Sequence, residues 1–255
     1  MKTAPILRGT TGSSLSRLLQ ITGLSLGLAA SAHAQLVLMD QIGDGTAFLG
    51  TNAYASQIFE PANSAYNSAV VDDFSVSSAV SITRIDAVLL GWNGFSSFGN
   101  IRGYQVNLYS SLAAGQANLT GDVASVYVSA GDTTLTTPFA GQSLQGLVSL
   151  PVNIAVGGSG TYFLGVSSLL DYSPGGQVGV ALVNSAPWGL PGGVNAMMIN
   201  PSAGFGATIT SPGAYDAAYR VLASTGGAVP EAGTTGAVAG AALLVLVALK
   251  FRRRN

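Results

Sequence analysis

"RGYQVNLYS", residues 102–110, sets Tyr104, Val106 and Leu108 against Gln105, Asn107 and Tyr109 in strict alternation. Successive side chains of a strand point to opposite faces, so this period of two predicts a half-buried β-strand with Tyr104, Val106 and Leu108 on the core side. "GTYFLGVSSL", residues 160–169, repeats the pattern with Tyr162, Leu164 and Val166. Outward from these two, short apolar or alternating runs at 36–39, 70–76, 82–90, 124–128, 146–151, 177–183, 196–199 and 218–223 are further strand candidates. Turn signals such as Ala130-Gly131-Asp132, Gly157-Gly158 and Pro174-Gly175-Gly176 punctuate them. No amphipathic helix of useful length interrupts the series, and no repeat of fixed period suggests a solenoid or propeller. The expected fold is all-β, an antiparallel, jelly-roll-like sandwich.

The ends of the chain have a different character. Lys2, Arg8 and Arg17 form a basic region, residues 18–30 an apolar core, and Ala32-His33-Ala34 a small-x-small site ahead of Gln35. This order predicts a signal peptide over 1–34, cut by signal peptidase between Ala34 and Gln35. Its apolar core is too short for a permanent span. The body is then 35–228, large enough to bury a core of its own without disulfides, of which a chain with no cysteine has none.

The body is acidic. Asp40, Asp44, Glu60, Asp72, Asp73, Asp86, Asp122, Asp132, Asp171 and Asp216 face only Arg84, Arg102 and Arg220, a balance of 3 − 10 = −7. A nucleic-acid partner would require a basic patch to replace phosphate counterions, so the balance argues against that class and against adhesion to anionic headgroups.

The chemistry available is equally restricted. His33, the only histidine, lies in the signal cleavage site, so the mature chain has neither His nor Cys. That excludes Ser-His-Asp and Cys-His nucleophiles and the usual zinc sites. An acid-only glycan hydrolase or lyase would need two carboxylates across a cleft. Glu60, Asp72, Asp73, Asp86 and Asp171 are available for that, yet no spacing selects a pair, and Asp72 and Asp73 would point to opposite faces of a strand. No cofactor is implied. Calcium takes oxygen ligands from loops, which makes Asp40, Asp44, Asp72 and Asp73 its candidates, although "DQIGDGT" lacks the ligand alternation of a calcium loop. "GWNGFSSFGN" gathers Trp92, Phe95 and Phe98 in a Gly-rich stretch with Asn93 and Asn100. Two readings stand: a platform for a sugar ring, with Trp92 and Trp188 as its aromatic faces, or a cap on one end of the core. "NLT" at 118–120 matches a glycosylation sequon, a pattern short enough to recur by chance.

The tail, "VPEAGTTGAVAGAALLVLVALKFRRRN", residues 229–255, places a Pro-Glu pair before an uncharged run and a basic cluster. Residues 233–249 are at the lower length limit for a transmembrane helix, and Lys250, Arg252, Arg253 and Arg254 would hold the end in the cytoplasm. Together these parts resemble the PEP-CTERM sorting signal of Gram-negative bacteria. Pro230 and Glu231 match the first two motif residues, and Ala232 stands where that family most often has Pro. The body, with "VVDDFSV", "YQVNLYS" and "GTYFLGVSS", loosely resembles the sandwich domains found ahead of such tails. The resemblance implies processing by a membrane-embedded exosortase, an inner-membrane-anchored precursor with its body outside, and a destination at the cell surface or in an exopolysaccharide matrix. The expected function is that of a non-enzymatic surface or matrix protein, with a carbohydrate-binding module of the biofilm matrix as the alternative.

Overall fold

A computed structural model describes residues 35–43, 52–141, 143–184 and 194–225. In chain order the strands are β1 (Gln35–Asp40), β2 (Ala53–Ala55), β3 (Gln57–Ile58), β4 (Ala69–Val76), β5 (Val80–Trp92), β6 (Gly103–Tyr109), β7 (Ala124–Ser129), β8 (Thr134–Thr136), β9 (Gln145–Val156), β10 (Gly160–Leu169), β11 (Gln177–Asn184), β12 (Met197–Ile199), β13 (Ile209–Thr210), β14 (Tyr215–Ala217) and β15 (Tyr219–Thr225). All the long runs expected from sequence are strands. They form two sheets, antiparallel in every pairing except β3 with β10.

One sheet runs β1-β15-β5-β11-β14, with β2 on β11 and β9 carrying β8 on β5. The other runs β13-β12-β4-β10-β6-β7, with β3 on β10. Ile85, Leu89, Leu150, Val178 and Val221 of the first face Val70, Phe74, Val106, Leu108 and Leu164 of the second in a single core. Full burial of each Leu or Ile there contributes roughly 2 to 3 kcal/mol.

The longest strand, β5, owes its geometry to one extra residue. A bulge between Ile82 and Arg84 switches the alternation, so Val80 and Ile82 before it and Ile85, Ala87 and Leu89 after it all face the core. The residues between them, Arg84, Asp86, Val88, Leu90 and Trp92, fall on the outer face.

Strands β4 and β6 depart from the half-buried expectation, because both of their faces are covered. Asn107 and Tyr109, the polar face of the opening stretch, are fully buried, with Tyr109 packed beside Val71 and Ile199 and against the short helix α1 (Leu112–Ala117). The two strands reach through β10, and β4 separates from β10 at Val70 and Val166. There the Tyr219 hydroxyl donates to Val70 O at 2.8 Å and accepts from Val166 N at 3.1 Å. Ser56 Oγ accepts from Val70 N at 2.9 Å and donates to Val166 O at 2.5 Å. Two hydroxyls thus satisfy backbone groups that would otherwise be buried without partners.

Residues 215–225 close the first sheet. Leu182 pairs with Ala217 and Tyr219 with Ala87, so the segment passes from β11 to β5 at Ala218, whose N–H bonds Ala181 O and whose carbonyl accepts from Val88 N. Strand β15 then carries β1 on its far side, setting Gln35 opposite Ser224.

Candidate functional site

The aromatic stretch after β5 separates into two roles. Asn93 and Gly94 both have positive φ, 47° and 91°, and Phe95 N–H returns to Trp92 O at 3.0 Å, a tight turn of the kind that Asn-Gly favours. Phe95 is buried and meets Phe98 edge-on, ring centroids 4.9 Å apart. These two rings cap the core. Trp92, the last residue of β5, stays half-exposed on the outer face, opposite Gln177 of β11.

Its ring lies over a glycine. A Cβ added to Gly179 would stand 2.8 Å from Trp92 Cη2 and 1.9 Å from the Tyr54 carbonyl oxygen, so neither the indole nor β2 could lie as they do over a larger residue. Beside this contact runs an open groove of about 470 Å³, whose aromatic surface comes from Tyr54, Trp92 and Tyr215 and whose rim includes Asn52 and Pro212. Three half-buried rings beside a polar rim suit a ligand with both apolar faces and hydroxyl edges. Asn93, the other polar group of the loop, donates from its side-chain nitrogen to Gln177 Oε1.

The acids are held by structural partners. Asp72 faces the core beside Val70 and Phe74, with Oδ2 accepting from Ala217 N at 2.7 Å and Oδ1 from Asp73 N at 2.9 Å. Burial, opposed by those N–H groups and reinforced by the nearby Asp216, holds its carboxyl well above the usual range. Asp73 points to the opposite face and accepts from Val194 N at 2.8 Å. Asp216 is buried and shifted upward, first by desolvation and then by Asp73.

Asp86 is buried on the outer face of β5, between Arg84 at 3.1 Å and Arg220 at 3.4 Å. Arg220 also reaches Asp40 at 2.9 Å, completing a charged row across β1, β15 and β5. The other oxygen of Asp40 accepts from Ile42 N and Gly43 N at 3.0 and 2.9 Å, so this carboxylate anchors a turn. Asp171 pairs with Arg102 at 2.7 Å, and Glu60 accepts from Tyr172 N at 2.7 Å, the contact that chiefly lowers its pKa. Among the described residues no group of three or more His, Asp or Glu is placed to hold a metal ion.

Several expected sites lie outside the described residues: Ala34 of the cleavage site, Asp44, Trp188, Pro230, Glu231, Ala232, residues 233–249, and Lys250, Arg252, Arg253 and Arg254. Gln35, the residue after the expected cut, begins β1. Among the described residues no helix is long and apolar enough to cross a membrane. Tyr54 and Tyr215, which sequence reasoning missed, sit in three-residue strands too short to show a period. Their one signal is a tyrosine among small residues, in "NAYAS" and "PGAYDAA". The chain matches no protein-family model, and no curated protein matches it.

Proposed function

We propose that the chain is an exported, non-enzymatic protein of the cell surface or extracellular matrix, linked to exopolysaccharide and biofilm. Signal peptidase removes residues 1–34. An exosortase then recognises Pro230-Glu231-Ala232, while residues 233–249 span the inner membrane and Lys250, Arg252, Arg253 and Arg254 remain inside. The sequence of parts in the tail, Pro-Glu then apolar run then arginines, carries this reading. The non-enzymatic part is supported by the acids, since Asp72, Asp86 and Asp171 are each held by backbone N–H groups or arginines. A jelly-roll-like topology is supported by the repeated change of sheet between β4 and β5, β9 and β10, and β10 and β11. Mass spectrometry of protein released from cells that encode an exosortase tests the proposal. The expected product has lost its tail, and released protein still ending in "FRRRN" overturns it.

A second reading, binding of a neutral glycan in the matrix, is favoured by the groove of Tyr54, Trp92 and Tyr215. The C–H face of a pyranose ring is apolar and can lie on an aromatic ring while its hydroxyls reach the polar rim. With a body at 3 − 10 = −7, an uncharged polymer fits better than an anionic one. Calcium, with Asp40, Asp44, Asp72 and Asp73 as the sequence candidates, would enter only as a bridge between protein and glycan. Calorimetric titration of glycans with and without Ca²⁺ decides: uptake by the parent and loss in Trp92→Ala supports this reading, and no uptake of any glycan removes it.

A further inference from the structure

A second aromatic cleft is lined by the cross-strand neighbour of Trp92. It encloses about 280 Å³ between Phe59, Asn63, Tyr66, Tyr172, Gln177 and Phe205. Gln177 of this cleft is the cross-strand partner of Trp92 in the other. Directly opposite residues of a sheet have Cβ atoms roughly 5 Å apart, so the two clefts meet at a single residue pair.

Its walls are fixed independently of any ligand. Tyr66 is 41% exposed and is met edge-on by Phe59 and Phe205, at centroid distances of 6.4 and 5.2 Å. The turns that carry Tyr66 and Phe205 are joined by Asn200, fully buried, whose Nδ2 donates to Ala65 O at 2.9 Å and Asn67 O at 2.7 Å while Oδ1 accepts from Phe205 N at 3.0 Å. On the opposite wall Tyr172 is 44% exposed, and Glu60 holds its backbone N–H and the Asn63 side-chain nitrogen with separate carboxylate oxygens. Each carboxylate oxygen of Glu60 is thereby engaged within the wall. Asn63 Oδ1 and Gln177 Nε2 make no hydrogen bond to another described residue, leaving one acceptor and one donor between two exposed phenol rings.

We propose that the two clefts form one binding path for an uncharged polysaccharide, in which Trp92 with its neighbouring tyrosines holds one stretch of the chain and Tyr66 with Tyr172 holds the next. This rests on the neutral-glycan reading given above and extends it from a single platform to successive sugar units. Three features select the occupant. The exposed rings present flat apolar faces, the unengaged groups are amides suited to hydroxyls, and the ionised groups about the second cleft, Glu60 with the paired Asp171 and Arg102, sum to a negative charge that disfavours an anionic polymer. The immobilised walls reduce the ordering cost of binding, and linking two weak subsites raises affinity steeply with ligand length once both can be occupied together.

The test is calorimetry on the full chain with uncharged gluco-, galacto- and manno-oligosaccharides of increasing length, from the monosaccharide upward, and with a proline-rich peptide as a competing chemistry. The parent is expected to bind long oligomers at least tenfold more tightly than short ones, about 1.4 kcal/mol. Tyr172→Ala should remove that length dependence, Tyr172→Phe should retain it, and Trp92→Ala should weaken all lengths. Thermal melts of each variant separate lost binding from lost folding, and the exposure of Tyr172 favours a folded Tyr172→Ala. If the parent binds glycans through Trp92 while Tyr172→Ala and Gln177→Ala change no length, the path is overturned and the single platform stands. If no glycan binds, or only the proline-rich peptide does, the glycan reading itself fails and the path fails with it.

Discussion

The Asp72 carboxylate, rooted in one sheet, accepts the backbone N–H of Ala217 in the other at 2.7 Å. An acid inside the core thus joins an interior strand of one sheet to the end strand of the other, where the two share no backbone ladder. Burial is the main reason its carboxyl is held well above the usual range, so the folded protein keeps a proton that the unfolded chain has lost.

The sign of the pH dependence follows. Stability from Asp72 is fully present below its unfolded value of 3.8 and declines as pH rises above that toward the folded-state value. Asp216 acts in the same direction, while Glu60 and Asp122, whose pKa values are lowered, act in the opposite one, weakened by solvent screening. Asp72→Asn keeps an oxygen for Ala217 and cannot ionise. Urea midpoints between about pH 4 and pH 8 should therefore fall less steeply for Asp72→Asn than for the parent, and parallel profiles would refute the assignment.

Arginine removal should distinguish buried from exposed pairs. Arg220→Ala leaves Asp86, whose side chain is 2% exposed, with Arg84 alone, and the expected loss is about 3 kcal/mol. Arg102→Ala breaks a pair whose partners are 57% and 38% exposed, and the expected loss is under about 1 kcal/mol. Denaturant unfolding of the two variants side by side checks the ranking.

Gly179→Ala should disturb both the groove and the pairing of β2 with β11. The new methyl would meet the Tyr54 carbonyl and the Trp92 ring, so β2 and the indole must both move. A shift in tryptophan emission together with at least tenfold weaker glycan binding, about 1.4 kcal/mol, is expected. Unchanged binding would remove Trp92 from the site.

The sorting proposal turns on one charge. Pro230 lacks an N–H donor and biases Val229 toward an extended conformation, which lets the segment lie as a strand in a processing cleft. Glu231 offers that enzyme's arginine a charge-assisted bond. Glu231→Gln should leave an unprocessed, membrane-retained precursor in an exosortase host, seen by fractionation and immunoblot, whereas replacing Arg252, Arg253 and Arg254 with Ser should disturb topology instead. Processing of Glu231→Gln at the parent rate would favour a plain anchor.

The long strands were legible because six or more residues suffice to display a period of two, as in β6 and β10. Of the two- and three-residue strands, β12 was legible within the apolar run 196–199, whereas β2, β3, β8, β13 and β14 were not, since so short a run has no period to read. Two-sided burial was hidden for a different reason. Asp72 and Asn107 read as solvent-facing by residue type, and tertiary partners, Ala217 for one and Ser125 at 2.6 Å for the other, offset part of the cost of burying them. Trp92 could be singled out as a large ring in a Gly-rich turn. Tyr54 and Tyr215 join it through strand pairing on β11, a relationship between segments far apart in the chain.

The pairing of β1 with β15 has a consequence in time. Gln35 finds its partner Ser224 only after 224 − 35 = 189 further residues have been made, and among the described residues β1 pairs with no other strand. Contacts so distant in sequence form slowly, and here they cannot form at all until nearly the whole body has been synthesised. In a chain exported as proposed above, the first strand would clear the membrane long before the last one offered it an edge, and the body would cross as loose polymer and close only outside.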